Sequence, residues 1–250
     1  MPRIPSPPSA RILLLVAIAC FPSPRPAAAA DEPPAKPLKA TADFGYVSTA
    51  GNSDVKTLNS SDKIEYTTGR WLFTQMGAAV WGTDQGVENT GAYRLELRAD
   101  YKLAERIGAY ALGSWRRNTF AAIARQFDEG VGLVYHAVTP QPHQLDLEAG
   151  VGVTQRRNTL GAEDDFGTGR LAAFYRYHFR EKAYVEANGA YLSNFKNSDD
   201  YETDAKAALV APLGGMLALK LGYNYHYRNA PPPGFRQWDS MFSSGIQLAY

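Results

Sequence analysis

Beyond residue 40, hydrophobic and polar residues alternate along the chain with a period of two. In the clearest segment, residues 93–101, every odd position is apolar or aromatic and every even position is charged. Residues 145–153 and 217–227 alternate in a similar way. Side chains of a β-strand point to opposite faces in turn, so each segment predicts a strand with one apolar and one largely polar face. The 3.6-residue period of an amphipathic helix is sustained nowhere.

This alternation predicts strands that are separated by two kinds of connection. Connections after even-numbered strands are short, such as 103–106 and 139–142, whereas most of the others are longer and polar, such as 83–90 and 229–236. Short turns at one end and longer loops at the other are typical of bacterial outer-membrane barrels. We therefore expect an all-β fold, a transmembrane antiparallel β-barrel of about twelve strands. The predicted strands are residues 40–49, 55–66, 71–82, 91–102, 107–117, 125–137, 143–155, 166–179, 183–193, 201–211, 216–228 and 237–250.

A soluble β-sandwich or lipocalin-like barrel also alternates, but it would bury the apolar face. Tyr93 and Tyr101 bound the apolar face of one segment, eight residues apart. At about 3.3 Å per residue and a tilt near 40°, they would lie roughly 20 Å apart along the membrane normal, against about 25 Å between aromatic girdles. This spacing favours the membrane barrel. The faces of the third strand stay unassigned, because Gln75 shares the parity of Trp71 and Trp81.

The first thirty residues have the pattern of a cleaved signal peptide. Arg3 and Arg11 precede the apolar run 12–19, and four alanines end at Ala30, directly before Asp31. Small residues at that position are typical of a cleavage site, so we expect the cut between Ala30 and Asp31. The predicted chain then consists of a signal peptide (1–30), a proline-rich periplasmic tail (31–39) and the barrel (40–250).

The only cysteine, Cys20, lies inside this predicted signal peptide. The mature chain would then have no disulfide, no thiolate nucleophile and no cysteine-ligated metal. A lipoprotein signal with Cys20 lipidated is the alternative, but Ala17 stands where such signals favour leucine. Cleavage after Ala30 removes three of the 26 basic residues and none of the 25 acidic ones, which leaves a net charge of −2. This balance excludes a polybasic nucleic-acid binder.

The last eight residues carry a recognisable assembly pattern. Ser243, Gly245, Leu248 and Tyr250 read polar-x-Gly-x-x-apolar-x-aromatic, which resembles the C-terminal signal of outer-membrane barrels. An unpaired edge strand of this kind can be templated by pairing with the edge of another protein. The alternative is an amphipathic strand that merely ends a domain.

Longer stretches resemble a named family. Residues 44–54 and 65–71, together with 93–95, 143–150 and 217–223, are similar to the YdiY-like family of salt-induced outer-membrane proteins, or domain of unknown function 481. The resemblance runs from about residue 42 to the C-terminus. It implies an outer-membrane β-barrel without a family catalytic pattern, and "salt-induced" describes expression rather than a mechanism.

The polar face of the strands is the one candidate functional surface in the sequence. By parity, sixteen charged residues point into the lumen, eight of each sign. A selective ion pore shows one dominant sign at its constriction, which this set lacks. Two readings follow: a salt-bridge network across a narrow lumen, or a path for small solutes between separated charges. The predicted lumen-lining residues are Arg94, Glu96, Arg98, Asp100, Arg116, Asp128, Asp146, Glu148, Arg170, Arg176, Glu186, Glu202, Asp204, Lys206, Lys220 and Arg228.

The sequence gives little support for catalysis. His136, His178 and His226 have lumen-facing parity and His143 lies at a turn, but none has a serine or acid at recognisable spacing. The histidines are too scattered for a metal site, and no glycine motif for phosphate is present. We expect no enzyme activity, no cofactor and no metal.

These observations predict an integral protein of the bacterial outer membrane, with a role in the envelope that is related to salt or osmotic stress. A narrow porin-like channel is the alternative, and an outer-membrane enzyme is a third hypothesis. The expected partners are outer-membrane lipids and lipopolysaccharide, with the barrel-assembly machinery and periplasmic chaperones during biogenesis. We expect a monomer and no nucleic-acid partner.

Overall fold

The structure is a computed structural model that describes residues 37–48, 55–84, 87–119 and 121–250. The predicted signal peptide, its cleavage site at Ala30 and Asp31, and most of the predicted tail lie outside the described residues. Within the described ranges, no helix is long and apolar enough to cross a membrane.

The described residues form one closed barrel of twelve antiparallel strands. Each strand pairs with its neighbours in sequence, and the last strand pairs with the first. This confirms the predicted all-β antiparallel barrel and its strand number. The strands are β1 (Leu38–Ser48), β2 (Val55–Thr68), β3 (Trp71–Asp84), β4 (Val87–Lys102), β5 (Ile107–Asn118), β6 (Ile123–Val138), β7 (His143–Asn158), β8 (Glu163–Arg180), β9 (Ala183–Asn194), β10 (Glu202–Gly214), β11 (Leu217–Arg228) and β12 (Trp238–Ala249).

Most predicted boundaries shift by one to four residues, and two of these shifts change a predicted connection or tail. The predicted loop 83–90 is largely strand, because β3 and β4 continue to pair through Thr83 and Glu88 beyond a bulge at Gly82. Polar side chains end the hydrophobic alternation there, but the backbone ladder needs no apolar residues to continue. At the other boundary, Lys39 was assigned to the tail and instead pairs with Glu65 in the first strand pair.

The two ends of the barrel differ in the length of their connections. The turn end carries short connections such as 69–70 and 181–182, together with the C-terminal residue 250. The loop end carries the longer connections 195–201 and 229–237. These two names are used below for the two ends.

The exposure of side chains is the reverse of that in a soluble protein. Large apolar side chains on the outer wall are open, for example Leu97 at 57% and Leu171 at 60% exposed. Polar side chains in the interior are closed off, for example Gln126 and Thr154 at 2% each. A largely apolar outer surface of this kind fits a bilayer, because lipid chains would cover it.

Aromatic residues lie near both ends of this apolar wall. Trp71 and Trp81 are both exposed, ten residues apart on β3. At a rise near 3.3 Å and a tilt near 40°, they are about 25 Å apart along the barrel axis, the height of the apolar band in membrane barrels. At the turn end the rings of Trp71 and Tyr101 lie 4.8 Å apart, and at the loop end Tyr201 and Tyr227 lie 6.0 Å apart. The structure therefore assigns the faces of the third strand.

The barrel closes where β12 meets β1. Paired residues run from Thr41 with Ala249 to Phe44 with Ile246. Gly245 lies beside this seam, and a Cβ built on it would stand 2.2 Å from the carbonyl oxygen of Phe44. No real Cβ fits at that distance, so the glycine of the C-terminal pattern is what allows the two strands to approach.

Candidate functional site: a charged lumen

The interior of the barrel is built from the polar face of the strands. From β4 to β11, the even-numbered positions carry the inward side chains, and all sixteen of the charged residues assigned to the lumen from the sequence are on these positions. The structure brings most of them into direct contact and divides them into groups at different heights.

The first group, here called the loop-end cluster, consists of Arg116, Arg156, Asp200, Glu202 and Arg228. Arg156 lies 2.8 Å from Glu202 and 2.5 Å from Asp200, and Arg228 lies 2.9 Å from Asp200. Arg116 donates a further hydrogen bond to Glu202. All five side chains are nearly closed to solvent, with 5–12% exposed.

This cluster spans the lumen rather than one part of its wall. Arg116 comes from β5 and Glu202 from β10, and four strands separate them around the barrel. Arg156 on β7 also contacts Glu202, across two intervening strands. Such contacts can form only through the interior, so the cluster crosses the lumen near its loop end.

Asp200 belongs to the connection 195–201 and ties that loop to the cluster. Burial raises the pKa of Asp200, but the hydrogen bond from Arg228 and the charge of Arg156 outweigh burial, and the pKa is lowered from its ordinary 3.8. Asn194 also donates a hydrogen bond to Asp200, at 3.2 Å. The carboxylate is therefore ionised under ordinary conditions and anchors the loop over the barrel mouth.

A second group, the turn-side cluster, lies in the other half of the lumen and consists of Arg98, Asp100, Tyr110, Glu148 and Arg170. Arg98 contacts Asp100 at 2.7 Å and reaches across two strands to Glu148 at 2.9 Å. Arg170 donates to the same Glu148. The Arg98 guanidinium lies 4.2 Å from the centre of the Tyr110 ring, which is a cation–π contact.

Tyr110 occupies space that glycines leave on the next two strands, β6 and β7. A Cβ on Gly150 would stand 2.4 Å from the Tyr110 hydroxyl oxygen, and one on Gly132 would stand 2.6 Å from it. The tyrosine that fills this room is 4% exposed. Tyr110 therefore narrows the turn-side half of the barrel.

A third group lies inside the closing seam and is centred on Asp43. This carboxylate accepts hydrogen bonds from Ser61 at 2.9 Å, Lys220 at 2.6 Å and Gln247 at 2.9 Å. The donors belong to β2, β11 and β12, so one carboxylate of β1 connects both sides of the seam.

The remaining predicted lumen residues form smaller contacts or none within the described residues. Lys206 is exposed to the lumen and makes no ion pair shorter than 4 Å there. Among the described residues, the Asp128 carboxylate accepts hydrogen bonds only from the uncharged Ser114, Gln126 and Thr154. The charged pairs are Arg94 with Glu96 at 2.7 Å, Arg176 with Glu186 at 2.8 Å, His136 with Asp146 at 2.7 Å and His226 with Asp204 at 2.8 Å.

Between the two clusters the lumen retains a cavity of about 70 Å³. Its lining includes Tyr110, Ser114, Asp128, Arg170 and Asp204. Sites for small-molecule ligands are typically about 300–1,000 Å³, and a water molecule takes about 30 Å³. This cavity therefore has room for a few water molecules.

The histidines contact acids or aromatic rings. His136 and His226 pair with aspartates, and Nδ1 of His143 lies 2.8 Å from the Tyr175 hydroxyl oxygen. His178 lies against Tyr184, with 5.5 Å between the ring centres. Among the described residues, no histidine is hydrogen-bonded to a serine or threonine, and no group of three acidic, histidine or cysteine residues could hold a metal ion.

Several interior residues are not among those predicted from the sequence. Arg156 follows the inward parity of its strand, but the predicted strand ended at 155. Tyr110 and Asp43 also have inward parity. For Asp43, the outward parity of Ala42, Phe44 and Tyr46 indicates an inward side chain between them. Nothing in the sequence marks loop residue Asp200, because its role depends on the fold of a connection.

Two solved barrel structures are similar to this chain. The porin NanC matches with a TM-score of 0.51 and 10% identity, over 84% of this chain and 98% of that chain. The translocator domain of the autotransporter NalP from Neisseria meningitidis matches with a TM-score of 0.48 and 16% identity, over 86% and 88%. At such low identity the similarity to NanC shows the barrel fold alone.

A comparison with curated proteins gives no match. The resemblance to domain of unknown function 481 is confirmed, and it covers nearly the whole barrel. The family model described as "Protein of unknown function, DUF481" matches residues 42–250, and the chain therefore belongs to the DUF481 family.

Proposed function

We propose that this protein is an integral barrel of the bacterial outer membrane whose lumen is held closed by ion pairs. The apolar outer wall, with exposed Leu97 and Leu171 between aromatic ends, supports a location in a bilayer. Because closed membrane barrels of this type belong to the outer membrane of bacteria, that membrane is the proposed location. The proposed role is structural, in the envelope, and salt or osmotic stress is the condition that the family resemblance indicates.

The observation that carries the closed state is the position of Glu202. Its side chain is 6% exposed and binds Arg116 of β5 and Arg156 of β7, which both reach it through the lumen. A solute that entered at the loop end would have to separate these buried pairs. Breaking a buried pair by removing one partner costs about 3–5 kcal/mol, so thermal opening is rare.

Ion conductance in a planar bilayer tests this proposal. The wild-type barrel is expected to show no steady conductance. A double variant, Arg116→Ala with Arg156→Ala, removes the two cross-lumen donors to Glu202 and is expected to conduct.

A matched control lies next to Arg156. Arg157 is on the opposite face of the same strand and is 52% exposed, so Arg157→Ala is expected to stay closed. Steady conductance of the wild type, at the level of an open porin, would contradict the closed lumen.

A narrow channel for small solutes is the second candidate. The observation that favours it is Lys206, a cation that is exposed in the mid-lumen and has no ion pair shorter than 4 Å among the described residues. If Lys206 guided an anion, wild-type conductance would be small but measurable, and Lys206→Glu would reduce or reverse its anion preference. A closed barrel would show no conductance with either lysine or glutamate at position 206.

The further elements of the proposal concern biogenesis and chemistry. The lipids and lipopolysaccharide of the outer membrane would surround the apolar wall, and the barrel-assembly machinery and periplasmic chaperones would deliver the chain, with the C-terminal pattern as the signal. Catalysis is not part of the proposed function, since the eight acids predicted to line the lumen are each engaged by arginine, histidine or neutral donors.

A further inference from the structure

One stretch of the outer wall departs from the apolar pattern. Asp62 faces outward on β2 and is exposed. It lies four residues from the apolar Leu58 on one side and four from Tyr66 on the other, so it stands near the middle of the wall. Within the described residues, no hydrogen bond or ion pair involves its carboxylate, in contrast to the inward Lys63 and Glu65, which pair at 2.7 Å.

A polar amide lies beside this carboxylate. Gln75, on β3, also faces outward, and both side chains lean over Gly77. A Cβ on Gly77 would stand 2.3 Å from Asp62 Oδ1 and 3.4 Å from Gln75 Nε2. The two groups are therefore near neighbours, yet no hydrogen bond joins them.

The wall is low around Asp62, whereas Gln75 has the larger Ile64 and Leu97 as its cross-strand neighbours. Asp62 is paired with Ala42 on β1 and Gly77 on β3, and the next outward pair is Ser60 with Ala79. Small side chains here let another surface approach the carboxylate closely. Small residues have the same effect where helices pack within membranes.

An ionisable side chain in the apolar layer is costly unless a partner satisfies it, and so it marks a functional contact. Glu129 also faces outward on β6, but it lies only two residues from Phe127, nearer the aromatic end, and it has Gly113 and Val153 as cross-strand neighbours. An exposed amide, Gln155, lies two residues from Val153 on β7. Asp62 therefore differs from Glu129 in its depth and in having only small cross-strand neighbours, Ala42 and Gly77.

We propose that the outer wall of β1–β3 is an interface between two copies of this chain. A two-fold axis along the membrane normal, passing between the two walls beside Gly77, would place Asp62 of each copy against the partner's Gln75, so that each amide donates a hydrogen bond to the other copy's carboxylate. An isologous interface of this kind is self-complementary. Asp62 of one copy contacts Gln75 of the other, and the same contact is repeated with the two copies exchanged. Since Asp62 and Gln75 are adjacent on one surface, a two-fold pair satisfies both copies and leaves neither group unpaired.

This inference rests on the proposed location of the barrel in a bilayer, and it replaces the monomer expected from the sequence. The dimer interface and the location in the bilayer can be refuted separately. Membrane fractionation and heat-modifiable gel mobility report on insertion and folding, whereas the number of chains per particle reports on the interface.

The first experiment measures the mass of the full-length protein in mild detergent by light scattering, with bound detergent subtracted. Two chains per particle are expected for the wild type. Asp62→Leu and Gln75→Leu each remove the charge-assisted hydrogen bonds, which should weaken self-association roughly a hundredfold. Glu129→Leu removes an outward charge elsewhere and should leave two chains.

The second experiment locates the interface in the membrane itself. The predicted mature chain has no cysteine, so Ala79→Cys introduces a single thiol on the proposed interface. Ala207→Cys, on the outward face of β10, is the matched control on a different part of the wall. Mild oxidation of outer-membrane vesicles should give a disulfide-linked dimer at 79 and little at 207.

Each outcome bears on the proposal. A folded, inserted wild type with one chain per particle and no excess of cross-linking at 79 over 207 would overturn it. So would an Asp62→Leu variant that stays a dimer, a particle of three chains, or a cross-linked product whose mass differs from two copies. Loss of the dimer in both Asp62→Leu and Gln75→Leu, with normal gel mobility, would support it.

Discussion

The loop-end cluster allows a quantitative prediction for one substitution, Glu202→Gln. The glutamate carboxylate receives hydrogen bonds from Arg116 and from Arg156, the latter at 2.8 Å, and all three side chains are 5–12% exposed. A glutamine keeps the volume but removes the charge, so the guanidinium of Arg116 loses its ion pair while it remains buried.

The expected loss of stability is large because the pair is buried. Removing one partner of a buried ion pair costs about 3–5 kcal/mol. Arg156 retains Asp200 at 2.5 Å, so the expected loss in the free energy of unfolding lies at the lower end, about 3 kcal/mol. Urea-induced unfolding from liposomes, followed by tryptophan fluorescence, measures this quantity.

An exposed ion pair at the same end supplies the control. Glu163 lies 3.7 Å from Arg157, and these side chains are 63% and 52% exposed. Glu163→Gln should change the free energy of unfolding by less than about 1 kcal/mol, as is usual for surface pairs. If Glu202→Gln cost no more than Glu163→Gln, the cluster would not be a buried cross-lumen network, and the reasoning would be wrong.

Three further predictions concern the wall, the seam and the loop. Leu97→Arg places a charge on the lipid-facing wall and should lower the free energy of unfolding in liposomes by about 2–4 kcal/mol, while Glu96→Gln on the inner face should cost far less. Gly245→Val should block closure, since even a Cβ would stand 2.2 Å from the Phe44 carbonyl oxygen; normal heat-modifiable mobility of this variant would refute the seam geometry. Because the pKa of Asp200 is lowered in the folded state, its contribution to stability is present above its ordinary pKa of 3.8 and is lost as the pH falls below that value. The difference in unfolding free energy between wild type and Asp200→Asn should therefore shrink on acidification below pH 3.8, and a difference that grew there would contradict the lowered pKa.

The strands could be predicted from the sequence because a barrel wall requires a strict alternation between lipid and lumen. That requirement is visible in residues 93–101 and predicts a face for each side chain. It fails where both faces are polar, as at Thr83 and Glu88, and where a polar residue lies on the outer wall, as at Gln75. At Thr83 and Glu88 the β3–β4 hairpin continues beyond the apolar pattern. Gln75 belongs to the proposed interface.

The contacts inside the lumen could not be predicted in the same way. Parity assigns a side chain to the interior, but it gives neither its height nor its position around the barrel. Arg116 and Glu202 are 86 residues apart in the chain and meet only because of the register of the strands between them. Asp200, in turn, reaches the cluster through the path of the connection 195–201, which has no alternation to indicate it.

The central claim is that the apolar wall contacts lipid and the charged face is enclosed. Spin labels placed one at a time at positions 93–101 of β4, in the protein reconstituted in liposomes, test it most directly. Collision with oxygen, which concentrates in the lipid, should be frequent at the odd positions, including Leu95 and Leu97. At the even positions, including Glu96 and Arg98, it should be infrequent, and collision with a bulky aqueous nickel complex should also be infrequent because the lumen is closed. Even positions as accessible to the nickel complex as a label in bulk water, together with odd positions shielded from oxygen, would contradict the membrane barrel.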